Sequence, residues 1–143
     1  MFPEGLYQLR NSDVETQYLN VILRSIYNQD TATSVTAQII IPEGQVWLIQ
    51  NVFCFANGGG GQVCNALRST INTIGGSFIT TLFDDREIGG LGVVGRDRQY
   101  GGLILKGPCV IKSIGTFNSG VSTNTVTLDI AGIGIPRGNW NQI

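Results

Sequence analysis

The chain has 143 residues, of which 42% are hydrophobic, 13% are charged and 20 are glycine, and its nine Lys and Arg against ten Asp and Glu leave a formal net charge of -1. That length suits one domain that buries a core without disulfides or metals, and near neutrality with scattered basic residues excludes a protein whose main work is to hold phosphate backbones. The absence of histidine removes the commonest general base, every Ser-His and Cys-His pair and most catalytic zinc sites, so a non-enzymatic protein is expected, with no catalytic, cofactor or metal residues assigned.

Charge well below the roughly 25% usual for soluble domains, with net charge near zero, favours association. A homo-oligomer or a subunit of a larger assembly is therefore expected. The start, Met1-Phe2-Pro3-Glu4-Gly5, lacks the basic-then-apolar pattern of a signal peptide, and no run of about 18 apolar residues suggests a membrane span. Synthesis in a reducing cytoplasm is the resulting expectation.

Residues 1–28 read as an arm. From Ser12 to Asn28, Val14, Tyr18, Leu19, Ile22, Leu23, Ile26 and Tyr27 recur at helical spacing behind a Ser12-x-x-Glu15 capping box. The β-branched content of this segment and the β character of the chain beyond it favour a first strand instead, and both readings stay open. Residues 29–143 read as a β-sandwich domain with a C-terminal tail. Its first signal is a hairpin in which Val35–Ile41 and Val46–Phe53 meet at Pro42-Glu43-Gly44-Gln45, where Pro42 fixes φ and Gly44 accepts φ > 0.

The glycine loop 57–61 then leads to an alternating strand over Val63–Ile71, Gly75-Gly76 turns into Ser77–Phe83, and Asp84-Asp85-Arg86-Glu87 reads as a polar loop. A glycine-rich crossing, 89–95, passes through Arg96-Asp97-Arg98 to Leu103–Leu105. Lys106-Gly107-Pro108 makes a second strand-turn-strand junction into Cys109–Ile114, and Asn118-Ser119-Gly120 a third into the last strand, Val121–Ile135. Seven to nine short strands at this spacing predict an all-β fold, an antiparallel β-sandwich, with the eight-stranded jelly roll as first choice.

Four features invite a chemical reading. Gly90-Leu91-Gly92-Val93-Val94-Gly95 matches G-x-G-x-x-G, but no βαβ unit surrounds it, so the glycines are expected to serve a loop or bulged strand. Asp84, Asp85 and Glu87 are the densest acidic group; their spacing fits no calcium loop, and a solvated turn is expected. Three cysteines, Cys54, Cys64 and Cys109, cannot all pair; free thiols are expected, with a Cys54–Cys64 bridge across the glycine loop as the alternative. Trp47 belongs to the sheet packing, whereas Trp140 stands in a polar tail between Asn139 and Asn141 and suits docking. Phe2, Tyr7, Tyr100 and Trp140 are the candidate partner contacts.

Ile-Pro-Glu-Gly-x-Val-Trp at 41–47, Gly-Gly-Leu-Ile-Leu-Lys-Gly-Pro at 101–108 and Asp-Ile-Ala-Gly-Ile-Gly-Ile-Pro-Arg-Gly at 129–138 resemble small jelly-roll virion proteins of tailed bacteriophages, above all capsid decoration, or cement, proteins. The resemblance spans roughly residues 33–138 and is one of style. It implies a non-enzymatic virion protein, often trimeric, that sits on the capsid surface and ties neighbouring capsomers of the major capsid protein together, with no nucleic-acid or membrane partner. A carbohydrate- or receptor-binding β-sandwich module, and a tail or connector subunit, are the alternatives.

Overall fold

The computed structural model describes residues 21–85, 93–120 and 123–135. These form eight strands: β1 (Val21–Asp30), β2 (Ser34–Ile41), β3 (Val46–Asn57), β4 (Cys64–Asn72), β5 (Phe78–Asp85), β6 (Val93–Lys106), β7 (Cys109–Phe117) and β8 (Asn124–Gly134). They pair antiparallel in two four-stranded sheets, in the orders β1-β8-β3-β6 and β2-β7-β4-β5. Except at the β4–β5 hairpin, every connection switches sheets. That strand order is the jelly roll.

Alternation sends one face of each strand into the space between the sheets. β8 does so strictly, burying Val126, Leu128 and Ile130, and β2 likewise buries Val35, Ala37, Ile39 and Ile41. Trp47, Ile49, Val52, Cys54, Leu67, Ile71, Ile111 and Phe117 complete a single hydrophobic cluster. Polar bonds close both sides of the sandwich. On one side Asn28 Nδ2 of β1 donates to Thr36 O of β2 at 2.8 Å. On the other, Arg96 pairs with Asp85, and the Arg98 guanidinium lies over the Phe83 ring at 5.4 Å.

Several local readings are corrected by this topology. The helical spacing of 12–28 yields to the strand reading over 21–28, because β1 hydrogen-bonds along its whole length to β8, from Val21 opposite Ile133 to Asp30 opposite Asn124; residues 12–20 lie outside the described residues. The Pro42–Gln45 turn is not a hairpin but a corner between sheets: β2 pairs with β7, and β3 with β6 and β8. The Gly107-Pro108 and Asn118–Gly120 junctions are corners of the same kind. Asp84 and Asp85 end β5 instead of forming a loop.

The first two corners also brace each other. Gln45 N–H donates to Pro42 O at 3.2 Å with Gly44 at φ 82°, and Gly107 N–H donates to Gln45 O at 2.8 Å. A Cβ at Gly107 would fall 1.9 Å from Pro42 O, so this approach of the two chains needs glycine. The predicted crossing before Leu103 is mostly strand. Residues 93–99 pair with Asn51–Asn57, and only Tyr100-Gly101-Gly102 bulge, opposite Gln50, before Leu103 resumes pairing with Ile49.

Candidate binding face

The outward face of the β1-β8-β3-β6 sheet inverts the usual distribution of side chains. β3 buries the smaller Val52, Cys54 and Ala56 and turns Phe53 and Phe55 outward, where both are only half-buried. The two rings stack along the strand with centroids 6.4 Å apart and planes 24° from parallel. Gly95, paired with Phe55, lets both rings lie against β6; a Cβ there would meet Phe53 at 3.4 Å and Phe55 at 3.7 Å.

Register aligns polar side chains with these rings. Ser25 pairs with Asp129, Asp129 with Phe53, and Phe53 with Asp97, one transverse row across all four strands. At the usual inter-strand spacing this row is roughly 14 Å wide. Ser25 Oγ donates to Asp129 Oδ1 at 2.5 Å. Asp97 is exposed and takes no side-chain partner among the described residues. The neighbouring row runs Leu23, Ala131, Asn51. Ala131 is too small to fill the space between its neighbours, and the result is a groove of about 500 Å³ bounded by both rows.

A smaller groove of about 260 Å³ crosses the outer face of the other sheet, lined by Ser34, Ala66, Arg68, Asp84, Ile114 and Thr116. It lacks an aromatic ring. Among the described residues no group of three or more His, Cys, Asp or Glu could hold a metal, and Asp85, from the acidic run, is engaged by Arg96. The second half of the glycine motif leads into strand β6, with no helix N-terminus to receive a phosphate.

Of the candidate partner contacts, Tyr100 is described. It lies in β6 and is half-buried, with its hydroxyl donating to Leu82 O of β5 at 3.2 Å, so it ties the two sheets together instead of standing free on a loop. Burial pushes its phenol above the ordinary range. Phe2, Tyr7 and Trp140 lie outside the described residues. What reading the sequence missed is Phe53: within the apolar run 52–56 it passes for core, and the signal was the alternation of small residues with two phenylalanines.

All three cysteines are free and buried. Cys54 and Cys64 lie in β3 and β4, which belong to different sheets, and no bridge joins them. Burial raises each thiol, that of Cys54 to about 11, with Ser113 and Ser69 opposing weakly. At pH 8 the native protein should therefore resist a thiol reagent such as DTNB and release three equivalents only when unfolded, because so little thiolate is present and access is blocked. Unfolded thiols ionise near 8.5, so stability is fully present below that pH and falls as pH rises toward about 11. A fast native reaction would place one thiol at the surface.

No family model matches the chain, and no curated protein matches it. Solved structures similar to parts of it include chitosan-binding module 1 of a chitosanase/glucanase from Paenibacillus sp. IK-5, at 11% identity over 76% of this chain and 75% of that one, with a TM-score of 0.42. Infectious bursal disease virus, Gt strain, is similar at 10% identity over 84% of this chain and 33% of that one, TM-score 0.37. A chain of the cyanophage Pam1 capsid asymmetric unit is similar at 9% identity over 80% of this chain and 86% of that one, TM-score 0.34. The chain is an eight-stranded jelly roll on the strength of its own strand order.

Proposed function

We propose that this chain is a non-enzymatic virion protein, a jelly-roll decoration subunit that assembles as a trimer on a phage capsid and binds between capsomers of the major capsid protein. It is made in the host cytoplasm and works on the capsid surface, without cofactor, nucleic acid or membrane. One observation carries the reading. Among the described residues, every exposed large hydrophobic side chain lies on an edge strand or in the turn leading to one: Val21, Leu23, Ile26 and Tyr27 on β1, Ile40 on β2, Ile74 in the β4–β5 turn, Phe78 and Ile79 on β5, and Ile104 on β6.

Edge strands carry unpaired backbone groups, and isolated soluble proteins protect them with charge, proline or short length. β1 instead runs ten residues with Arg24 and Asp30 as its only charges. Apolar margins on a domain of low charge suit lateral contacts, weak singly and repeated by symmetry. The likeness of the 41–47, 101–108 and 129–138 runs to decoration proteins agrees with this.

Added to expanded phage capsids assembled without it, the protein should bind saturably and raise the capsid's melting temperature, and light scattering should give a trimeric mass. Tyr27→Lys combined with Phe78→Lys, at positions 56% and 63% exposed, should weaken capsid binding at least tenfold while leaving the far-ultraviolet spectrum unchanged. A strict monomer that binds no capsid would overturn the reading.

A further inference from the structure

We infer that the outer groove of the β1-β8-β3-β6 sheet is a binding site for an uncharged oligosaccharide, seated on Phe53 between the Asp129 and Asp97 carboxylates. This inference does not depend on the assembly reading, because the groove lies on a sheet face and the apolar margins lie at the edges.

The chemistry of the groove narrows the ligand. Phe53 and Phe55 offer two nearly parallel rings side by side along β3, an apolar platform matching the C–H face of successive pyranose rings. Around the rim stand acceptors and donors suited to hydroxyl groups: the Asp97 carboxylate, the Asp129 carboxylate already holding Ser25, and the Asn51 amide. A carboxylate accepts through two oxygens and can take both hydroxyls of a vicinal pair, forming stronger bonds than a neutral acceptor would.

Other ligand classes fit worse. The only cation lining the groove, Arg24, has its guanidinium 5.6 Å from the Trp47 ring and donates to Leu23 O at 3.1 Å, so the two carboxylates disfavour phosphates and acidic sugars. A peptide adding as a strand needs a free edge. Here both β8 and β3 have their backbone groups committed to neighbours on either side. An acyl chain would desolvate both carboxylates without pairing them. A pocket of mixed apolar floor and few convergent polar groups is the ordinary form of a small-ligand site.

The full chain is titrated with neutral oligosaccharides of glucose, galactose and mannose, α- and β-linked, and with uronic-acid oligomers, using calorimetry and amide chemical shifts. At least one neutral series should bind with a dissociation constant on the order of 1 mM or tighter, shifting amides of residues 23–25, 51–55, 95–99 and 129–131. Phe53→Ala and Asp97→Ala should each weaken it at least tenfold with unchanged melting temperature. Asp97→Asn should narrow the preference for neutral over acidic oligomers. The Tyr27→Lys, Phe78→Lys protein should keep its sugar affinity, which separates failure of this site from failure of the capsid reading. No binding across the panel, binding indifferent to Phe53→Ala, or equal affinity for uronic-acid oligomers would overturn the assignment.

Discussion

Replacing Trp47 by alanine should cost about 4 kcal/mol of folding stability and lower the melting temperature by roughly 10–15 °C. The ring is 2% exposed and sits in the middle of its sheet, with Leu105 of β6 on one side and Gly134 of β8 on the other. Gly134 presents no side chain, so the indole occupies space that nothing else can fill. Its Nε1–H donates to Gln45 Oε1 at 2.9 Å, and the Arg24 guanidinium reaches its face from β1. Alanine thus opens a cavity and removes the cation's partner at the same time. Trp47→Phe should lose about 1–2 kcal/mol, retaining most of the volume while giving up the indole bond. Urea denaturation with an unchanged slope measures both. A loss below about 1 kcal/mol for Trp47→Ala would mean the ring is not core.

Trp47 was legible because everything that places it inside is local. It comes directly after a turn and opens a β-rich run, and its inward direction matches its hydrophobicity. The same holds for the alternations in β2 and β8, which need only period two. Partner choice is another matter. Pro42 and Gly44 show that the chain turns, yet the same turn serves a hairpin or a step from one sheet to the other. What selects the step is burial: two half-apolar strands joined as a hairpin would share a face, whereas in opposite sheets their apolar faces meet. The bracing of Gly107 against Pro42 and Gln45 joins two corners that sequence spacing treats as unrelated. The binding face is less legible still. Ser25, Asp129, Phe53 and Asp97 come from four strands and form a row only through register. The β1 segment misled in a different way, because a helical stripe and an edge strand with exposed apolar residues on both faces give overlapping patterns.

Asn124 is the position where local reading has least to offer and where substitution should be nearly as costly as at Trp47. It is fully buried at the start of β8. Its Nδ2 lies within hydrogen-bond distance of Ala32 O, Gln62 Oε1 and Ser119 O, at 3.0, 3.1 and 3.0 Å, and its Oδ1 accepts from Gly59 N–H at 3.3 Å. One amide therefore fastens the β1–β2, β3–β4 and β7–β8 connections at one end of the sandwich. Asn124→Ala strands carbonyl acceptors and an N–H donor away from water, and orphaned buried groups cost about 1–3 kcal/mol each. With relaxation at the end of the sandwich, a total loss of about 3 kcal/mol is expected. Asn124→Asp is the sharper test because it keeps the shape. An ionised carboxyl there can donate nothing and faces three acceptors, so folding favours its protonated form and raises its pKa relative to the unfolded chain. For an acid raised in this way, stability is greatest below the unfolded value of about 3.9 and falls as pH rises above it. The variant should thus lose stability between about pH 4 and 7 relative to the parent. A parallel pH dependence in the two proteins would show that the amide's donors do not hold these connections.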